Sequence, residues 1–576
     1  MTLPRTQCPL NFQRPACKGG EILASEPEAA RTWRRLARRD ANHEPPKTSM
    51  ASEDRLMLHV RKDIWRLGSG WSEETLWYAR AVGAMLDRPI EDPTGWRYLA
   101  AIHGFNHSLW RAFNYLADSP APPSGVRAPW EQCRRRNWQF PLWHRGYVAA
   151  FEAIVRATIV KLGGPASWAL PYWNYSDGTN AKARDVPPAF EQKTLPDGQP
   201  NPLFVAQRYG AGAGKIVITP NDVKLNALCE PLFAGAPTGG SPGFGGADAA
   251  FIPDGGGATE GLLEQAPHDV IHGRIGGVKR GGNPHDAMQF GLMSIPETAA
   301  LDPIFWIHHA NIDRLWEIWL RRQTRHLNPA AKASLAGLSK QKFVFPRPDG
   351  ALEILVARDI LTANGPNLDY VYEEVSDPLP GVNRTALRPD RRGAPKAFVA
   401  NVASGATMAR LRSAELVGAN DGELRLDGRV AEAAIRLDRK MVAKMAENFR
   451  LTMTRGDGPK EPDRVYLNLG NVRGANDAAV FEIYVDVPSG AIPAEHPDRL
   501  AGVVSLFGVG CASRIDGGRG GNGIGKALDI THIFDALHLR GSIDRDNLSV
   551  RIVPTSDVRP EDGISVGRIS IYREGR

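Results

Sequence analysis

Five of the 14 histidines of this chain lie on the predicted inner faces of helix-forming stretches, and this placement constrains the fold more than any other feature of the sequence. From about residue 55 to residue 325 the apolar residues recur mostly at helical spacing. Three apolar stripes each carry one histidine: His103 at residues 96–110, His144 at residues 140–155, and His309 at residues 305–319. Histidines on the apolar faces of several helices predict a helix bundle with a group of imidazole side chains in its core.

A fourth stretch carries two histidines one helical turn apart. His268 and His272 are spaced i, i+4, which places both rings on one side of a helix. Alone, this spacing more often reflects chance or core packing. Together with His309, this pair offers three imidazoles to one metal ion. His103 and His144 are placed in the same way on two helical stripes nearer the N-terminus. The simplest interpretation is a four-helix bundle that holds two neighbouring metal ions.

The ligand type predicts the kind of metal. Imidazoles suit zinc, copper, iron or nickel, and copper has the highest intrinsic affinity. A zinc peptidase needs a glutamate directly after the first histidine, where this chain has Asp269. An iron carboxylate site needs glutamates paired with Glu-x-x-His, which these stretches lack. The pattern favours paired copper ions, and a zinc hydrolase built on His268, His272 and His309 is the competing hypothesis.

Composition argues against several other classes of protein. The 576 residues carry a net charge of +7 and are 42% hydrophobic, which is ordinary for a folded protein. The one dense basic run, at residues 31–39, is more typical of a solvated helix face than of a nucleic-acid site. Without a transmembrane run or a visible secretory signal, we expect a cytoplasmic protein with no membrane or nucleic-acid partner, and export together with a partner protein is the alternative. Five cysteines without CxxC spacing argue against a thiolate zinc site.

The chain divides by pattern into three parts. Residues 1–50 form an Arg/Pro-rich N-terminal arm, residues 51–385 a mainly α catalytic domain, and residues 395–576 a β-rich, sandwich-like domain. The last assignment rests on short β-branched runs at residues 481–487, 548–553 and 564–572.

Four segments resemble the copper-binding signatures of one known family. FPLWHRGYVAAFE at residues 140–152 and DPIFWIHHANIDRLW at residues 302–316 look like the two copper signatures of tyrosinases, catechol oxidases and related type-3 copper proteins. AIHG around His103 and LEQAPHDVIHGRIGG at residues 263–277 are similar to the remaining ligand segments. The resemblance covers roughly residues 55–375 and ends in a Tyr-Val-Tyr motif like the one that closes such catalytic domains.

The resemblance implies a metal centre and a reaction. His103 and His144 would ligate the first copper ion, and His268, His272 and His309 the second. With O2 as co-substrate, such a centre implies ortho-hydroxylation of small monophenols and oxidation of o-diphenols to o-quinones. A haemocyanin-like O2-binding protein uses the same six-histidine arrangement and is the alternative.

The resemblance also implies roles for side chains around the metals. His309 is the ligand of its His-His pair because it precedes Asp313 by four residues, which leaves His308 for packing or hydrogen bonding. Asp313 would orient an imidazole as a hydrogen-bond acceptor. Glu264 and Asp269 occupy positions at which the family holds a water near the second copper, and they would act as base or water-holder. In the alternative interpretation, Glu264 caps its helix and Asp269 is solvated.

Position 135 departs from the family pattern. The first copper signature begins with a histidine, and this chain has Arg135 there. A guanidinium stays protonated and offers no lone pair. Cys133 resembles the cysteine that in some members forms a thioether with that histidine, a link that arginine cannot make. We expect weak or absent copper at the first site and little oxidase activity. A rearranged His107 as ligand, or a natural single-copper, non-catalytic variant, are the alternatives.

The C-terminal part resembles the β-rich domains that shield the active site in latent polyphenol oxidases. Such a domain can insert a side chain over the copper ions. Phe507 is one candidate, although an ordinary core position explains this residue more simply. A homo-oligomer is compatible with the sequence.

Overall fold

The structure is a computed structural model. It describes residues 58–68, 70–117, 121–210, 215–249, 259–279, 281, 286–322, 340–363, 368–379, 414–454, 463–515, 521–541, 543–544 and 546–575. The predicted N-terminal arm at residues 1–50 lies outside these ranges, as does most of the predicted boundary between the two domains.

Eleven α-helices occur in the described ranges, eight of them before residue 322. They are α1 (Glu73–Leu86), α2 (Trp96–His103), α3 (His107–Ala112), α4 (Ser124–Arg127), α5 (Phe140–Lys161), α6 (Val270–Gly276), α7 (Pro296–Ala299), α8 (Ile304–Arg321), α9 (Arg439–Thr454), α10 (Val509–Ala512) and α11 (Thr531–Leu539). A π-helical turn, Glu264–Asp269, directly precedes α6. In the regular secondary structure described before residue 322, helices therefore predominate over strands.

The stripe predicted at residues 96–110 is two helices. α2 ends at His103, and the extended backbone of Gly104 passes close to Glu297. A Cβ on Gly104 would lie 2.9 Å from the Glu297 Cα, so this close approach requires glycine. The chain begins a new helix, α3, at His107. The break leaves the histidine of α2 at the end of its helix, facing the core.

The starts of two further helical segments determine where their histidines lie. Ala266 has extended backbone angles, so His268 lies in the π-helical turn and His272 in α6. α8 begins at Ile304, whose N–H donates to Asp302 Oδ1 at 3.0 Å. The HxxxH pair therefore does not lie on one regular helix, although both of its rings still face the same side.

Fifteen strands are present in the described residues. They are β1 (His59–Arg61), β2 (Ala234–Gly235), β3 (Gly246–Ala247), β4 (Lys342–Pro346), β5 (Leu352–Val356), β6 (Tyr370–Tyr372), β7 (Ala414–Ala419), β8 (Leu424–Leu426), β9 (Ala431–Leu437), β10 (Arg464–Arg473), β11 (Val480–Val485), β12 (Leu500–Ser505), β13 (Ile524–Asp529), β14 (Asn547–Pro554) and β15 (Ile564–Glu574). The first six form three two-stranded ladders beside the helices: β1 with β6, β2 with β3, and β4 with β5.

The C-terminal part is one antiparallel sheet of nine strands. Its order is β12-β11-β14-β9-β7-β15-β10-β13, and β8 also pairs with β15. The three predicted β-branched runs coincide with β11, β14 and β15, which confirms them. The predicted sandwich is wrong, because long strands such as β15 join all parts of the sheet into one ladder and the edge strands β12 and β13 contact each other. The sheet curls until it is nearly closed instead of splitting into two layers.

Two separate hydrophobic cores result. The larger is helical and rich in aromatic residues, and the other lies between the inner face of the C-terminal sheet and the helices α9 and α11. Phe507, which follows β12, belongs to the helical core although it comes from the C-terminal part. Among the described helices, none combines the length and the apolar character that crossing a membrane requires.

Candidate metal centre

Six histidines from four helical segments meet in the middle of the helical core. They come from the end of α2, the start of α5, the π-helical turn with α6, and the middle of α8. Each keeps at most 2% of its surface exposed: His103, His144, His268, His272, His308 and His309. The structure brings together all five histidines predicted as ligands and adds His308.

The possible ligand atoms form two clusters. In the first cluster, one nitrogen each of His103 and His144 and the Sγ of Cys133 lie within 4.8 Å of one another. The second cluster has the same dimension and consists of four imidazoles: His268, His272, His308 and His309. The clusters are adjacent, because the rings of His144 and His309 stack with centroids 4.6 Å apart and 13° between their planes.

Hydrogen bonds fix the imidazoles of the first cluster. His103 Nδ1 lies 2.9 Å from the Pro296 carbonyl oxygen, and His144 Nδ1 lies 2.8 Å from that of Phe140. A carbonyl oxygen only accepts, so Nδ1 carries the proton in both rings. Each Nε2 then keeps a lone pair directed into the cluster, which is the arrangement found around protein-bound metals.

The same logic holds in the second cluster. His272 Nδ1 donates to the Met293 carbonyl oxygen at 2.9 Å, and His268 Nδ1 lies 2.8 Å from Asp269 Oδ1. The His308 ring is held differently, through a 3.1 Å contact of its Nδ1 with a tyrosine hydroxyl, that of Tyr175. This contact agrees with the hydrogen-bonding role predicted for His308, although the ring also lies in the cluster.

Buried nitrogens without a hydrogen bond show that this centre fits a metal. Within the described residues, the Nε2 atoms of five histidines are buried and have no hydrogen-bond partner: His103, His268, His272, His308 and His309. Leaving a buried polar atom unpaired costs about 1–3 kcal/mol. Metal ions coordinated by these lone pairs would remove that penalty, and a set of imidazoles suits copper.

Burial keeps the imidazoles neutral. It lowers the pKa of all six, because removal from water disfavours the imidazolium form, and for His144 and His272 the pKa falls to about 3. The positive charge of Arg135 lowers the pKa of four of them further. Neutral rings keep the lone pairs that metal binding needs.

Arg135 lies beside the centre without adding an imidazole to it. Its guanidinium carbon is 5.8 Å from the centroid of the Phe507 ring. The third donor of the first cluster is Cys133, two residues earlier. His107, the alternative replacement ligand, belongs to neither cluster of the described residues. The first cluster therefore contains two of the three histidines that the family pattern requires.

The predicted acidic pair lies in a buried charge network next to the second cluster. Both carboxylate oxygens of Glu264 accept the backbone N–H of Arg136, at 3.0 and 2.9 Å. Lys526 Nζ donates to Asp269 Oδ2 at 2.7 Å and also pairs with Glu260. Neither alternative interpretation holds, because Glu264 does not cap its own helix and Asp269 is buried.

The charges in this network determine where a proton resides. Burial, together with the nearby carboxylates of Glu260 and Asp269, raises the pKa of Glu264 well above its usual range. Burial and Asp269 raise the pKa of Glu260 to about 8. The raised pKa of both glutamates favours their protonated forms relative to exposed glutamates, while the Asp269 carboxylate is held by Lys526 and orients His268.

Asp313 does not play the predicted role. Its carboxylate accepts hydrogen bonds from two arginines and two tyrosines, at 2.5–3.3 Å: Arg61, Arg145, Tyr370 and Tyr372. No described imidazole is among its partners, because these four side chains converge on both of its oxygens. Asp313 therefore connects α8 to α5, β1 and β6, and the carboxylate that orients a histidine is Asp269.

Phe507 covers the second cluster. Its ring stacks on that of His272, with centroids 4.2 Å apart and 16° between the planes, and lies 6.0 Å from the His268 ring. Only 1% of the side chain is exposed. The residue is thus both a core phenylalanine and the aromatic side chain that the C-terminal part places over the histidines.

Sequence reasoning missed Lys526 and Glu260. These residues are 266 positions apart, and neither lies in a recognisable motif. It also treated Cys133 only as the relic of a thioether. The spacing of Cys133 from His144 was the available signal, because it places the sulfur near the start of the helix that carries that ligand.

Comparison with known proteins agrees with this architecture. Residues 93–229 and 241–322 match the family described as the common central domain of tyrosinase, and residues 413–574 match a domain of unknown function, DUF7868. Tyrosinase HcTyr1 of Hahella sp. (strain CCB-MM4) is 31% identical over 533 residues, which cover 90% of this chain and 100% of that protein. The chloroplastic polyphenol oxidase of Malus domestica is 25% identical, over 72% of this chain and 63% of its own.

A solved structure has the same overall fold. Recombinantly expressed latent aurone synthase, a polyphenol oxidase, superposes with a TM-score of 0.55 at 17% sequence identity, covering 93% of this chain and 92% of that one. At this identity the likeness concerns the fold alone. It shows that a helical part and a C-terminal β-rich part like those of this chain occur together in a solved protein.

Proposed function

The chain belongs to the tyrosinase family, and we propose that it oxidises small phenols with O2 at two copper ions. The proposed reactions are the ortho-hydroxylation of monophenols and the oxidation of o-diphenols to o-quinones. The observation that carries the proposal is the group of buried Nε2 atoms without hydrogen bonds, in rings whose Nδ1 atoms are largely fixed by acceptors. The four helical segments around them would act as the bundle that holds both ions.

The second cluster has enough imidazoles for a three-histidine copper site, whereas the first cluster has only two. We assign His268, His272 and His309 as its ligands, with His308 held by Tyr175. When bound, the copper ions would supply the electrons that reduce O2. The protein's part is to keep the imidazoles neutral, to hold His268 in place through Asp269, and to exclude water by burial.

Glu264 is the residue we propose for proton handling. A monophenol must lose its proton to bind a metal well, and a buried carboxyl next to the cluster can hold a water or accept that proton. The raised pKa of Glu264 makes its ionised carboxylate a stronger base than that of an exposed glutamate. Its two hydrogen bonds from the Arg136 N–H keep the carboxyl facing one way.

The first test compares the two adjacent histidines of α8. After copper loading, His309→Gln is expected to lose the second copper ion and to reduce o-quinone formation more than about 100-fold. Loss of outer-shell partners alone costs about 10–100-fold, so loss of a ligand costs at least as much. His308→Gln is expected to retain the copper ion. Metal analysis and quinone absorbance are the measurements, with a monophenol and an o-diphenol as substrates.

Two outcomes would contradict this function, and a third would contradict the ligand assignment. Reversible O2 binding without quinone formation would indicate a carrier, and tight zinc with no bound copper would indicate a hydrolase. Copper loss in His308→Gln but not in His309→Gln would show that the ligand assignment is reversed.

Glu264→Gln tests the proton-handling role. We expect monophenol hydroxylation to fall at least about tenfold more than o-diphenol oxidation, because general acid–base catalysis contributes about 10²–10⁴-fold where it acts. Glu260→Gln is the comparison variant: it removes one of the carboxylates that raise the pKa of Glu264 but leaves the Glu264 carboxyl in place, so we expect a smaller selective loss of monophenol hydroxylation. Equal loss of both activities in Glu264→Gln would show that this residue only supports the structure.

A further inference from the structure

Cys133 supplies the third possible ligand atom of the first cluster, two residues before the position at which the family pattern has a histidine. Its side chain is buried, and its Sγ is 3.5 Å from His144 Nε2. The Sγ and one nitrogen of His103 also lie within 4.8 Å of each other. A sulfur about 2.3 Å and an imidazole nitrogen about 2.0 Å from one first-row ion such as zinc, at a tetrahedral angle, are about 3.5 Å apart. The spacing of Cys133 and His144 is therefore that of two ligands on one metal ion.

The first cluster also contains a buried nitrogen lone pair that a neutral Cys133 thiol leaves without a partner. His103 Nε2 has no hydrogen-bond partner, and its Nδ1 is tied to the Pro296 carbonyl oxygen. A weak contact between the Cys133 thiol and His144 Nε2 leaves His103 Nε2 unpaired. A single metal ion between the three side chains satisfies both nitrogens and the sulfur together.

The donor set itself favours a soft metal. Thiolate ligands select Cu(I) and zinc, and two imidazoles with one thiolate form the trigonal site of several copper proteins. A thiolate also brings a negative charge, which offsets the positive charge that Arg135 places near the centre, whereas a third imidazole would not. Arginine at position 135 and a thiolate ligand at position 133 are thus electrostatically compatible.

We propose that His103, Cys133 and His144 bind one copper ion through two imidazole nitrogens and one thiolate sulfur. Binding releases one proton from the Cys133 thiol and oxidises nothing when the ion is Cu(I). The inference replaces the expectation of a weak or empty first site. The inference takes the choice of copper from the proposed function, but it does not require that the chain oxidises phenols.

Metal stoichiometry gives the first readout. The metal-free full chain, loaded anaerobically with Cu(I), is expected to bind two ions. Cys133→Ser is expected to bind one ion as the native chain does and the other at least about tenfold more weakly. Cys511→Ser is the matched control, because this cysteine is also buried but contacts Glu297, outside both clusters. The control is expected to bind both ions.

Absorption spectroscopy gives a second, independent readout. A thiolate bound to Co(II) produces near-ultraviolet charge-transfer absorption that imidazole ligands do not produce. We expect this band in the Co(II)-loaded native chain and in Cys511→Ser, and we expect its loss in Cys133→Ser and in His103→Gln. Circular dichroism of each metal-free variant identifies any misfolded protein. Because Cys133→Ser and His103→Gln remove different ligands, misfolding of one variant still leaves the other as a test.

The outcomes separate this inference from the proposed function. It is overturned if Cys133→Ser keeps both Cu(I) ions with native affinity, if the native chain binds only one Cu(I), or if the Co(II) band is absent. A chain that shows the band but forms no quinone refutes the proposed function alone. A chain that forms quinone without the band refutes the thiolate ligand alone.

Discussion

Arg135→His is expected to raise the rate of o-diphenol oxidation at least about tenfold and to tighten copper binding at the first cluster. The substitution removes a positive charge and offers a third imidazole beside His103 and His144. The positive charge of Arg135 lowers the pKa of His103 and His144, and by the same repulsion it disfavours a metal cation held by these two rings. Competition with a copper chelator and quinone absorbance measure the two effects.

Arg135→Gln separates the charge from the ligand. Glutamine removes the positive charge but supplies no imidazole, so we expect tighter copper binding with a much smaller gain in rate. A histidine variant whose copper affinity and rate both equal those of the native chain would contradict the explanation. Equal gains in the two variants would show that charge alone limits the enzyme.

Phe507→Ala is expected to raise the apparent kcat/KM for o-diphenols by about tenfold or more. The ring stacks on His272 at 4.2 Å and occupies space that a phenol needs next to the second cluster. When only a small fraction of molecules has an open site, apparent affinity falls by that fraction, and removing the cover restores it. Steady-state kinetics over a range of phenol concentrations measure the change, which we expect chiefly in KM.

A matched control distinguishes a cover from general loosening of the C-terminal part. Phe481→Ala removes the same side chain from the core of the C-terminal sheet, away from the histidines. It is expected to lower stability by about 3–5 kcal/mol without comparable activation. If Phe481→Ala activates as strongly as Phe507→Ala, loosening of the sheet explains the activation and the role of Phe507 is refuted.

The helices and the histidines that meet in the two clusters were predictable because their signals are local. Helical periodicity placed His103, His144 and His309 on apolar faces, and an i, i+4 spacing joined His268 to His272. The three β-branched runs gave β11, β14 and β15. The sandwich was mispredicted because alternation identifies strands but says nothing of which strands pair, and here pairing joins them into a single sheet.

The roles of acidic residues were less predictable. Asp313 is one helical turn from His309, and spacing alone suggested a partner for an imidazole. Its actual partners come from distant parts of the chain, including Arg145 and Tyr370. Asp269 gained the orienting role, because the neighbouring π-helical turn directs it to both His268 and Lys526.

The sequence by itself determined which atoms are available to bind a metal, because residue type fixes the possible ligand atoms. Helical periodicity then indicated which of these atoms face the core. The sequence also showed that Arg135 stands where the family pattern has a histidine. Only the tertiary structure decided that Cys133 meets His144 and that Phe507 covers His272. Such contacts depend on how the helices and the C-terminal sheet pack against each other, and packing between distant segments leaves no periodic mark on the chain.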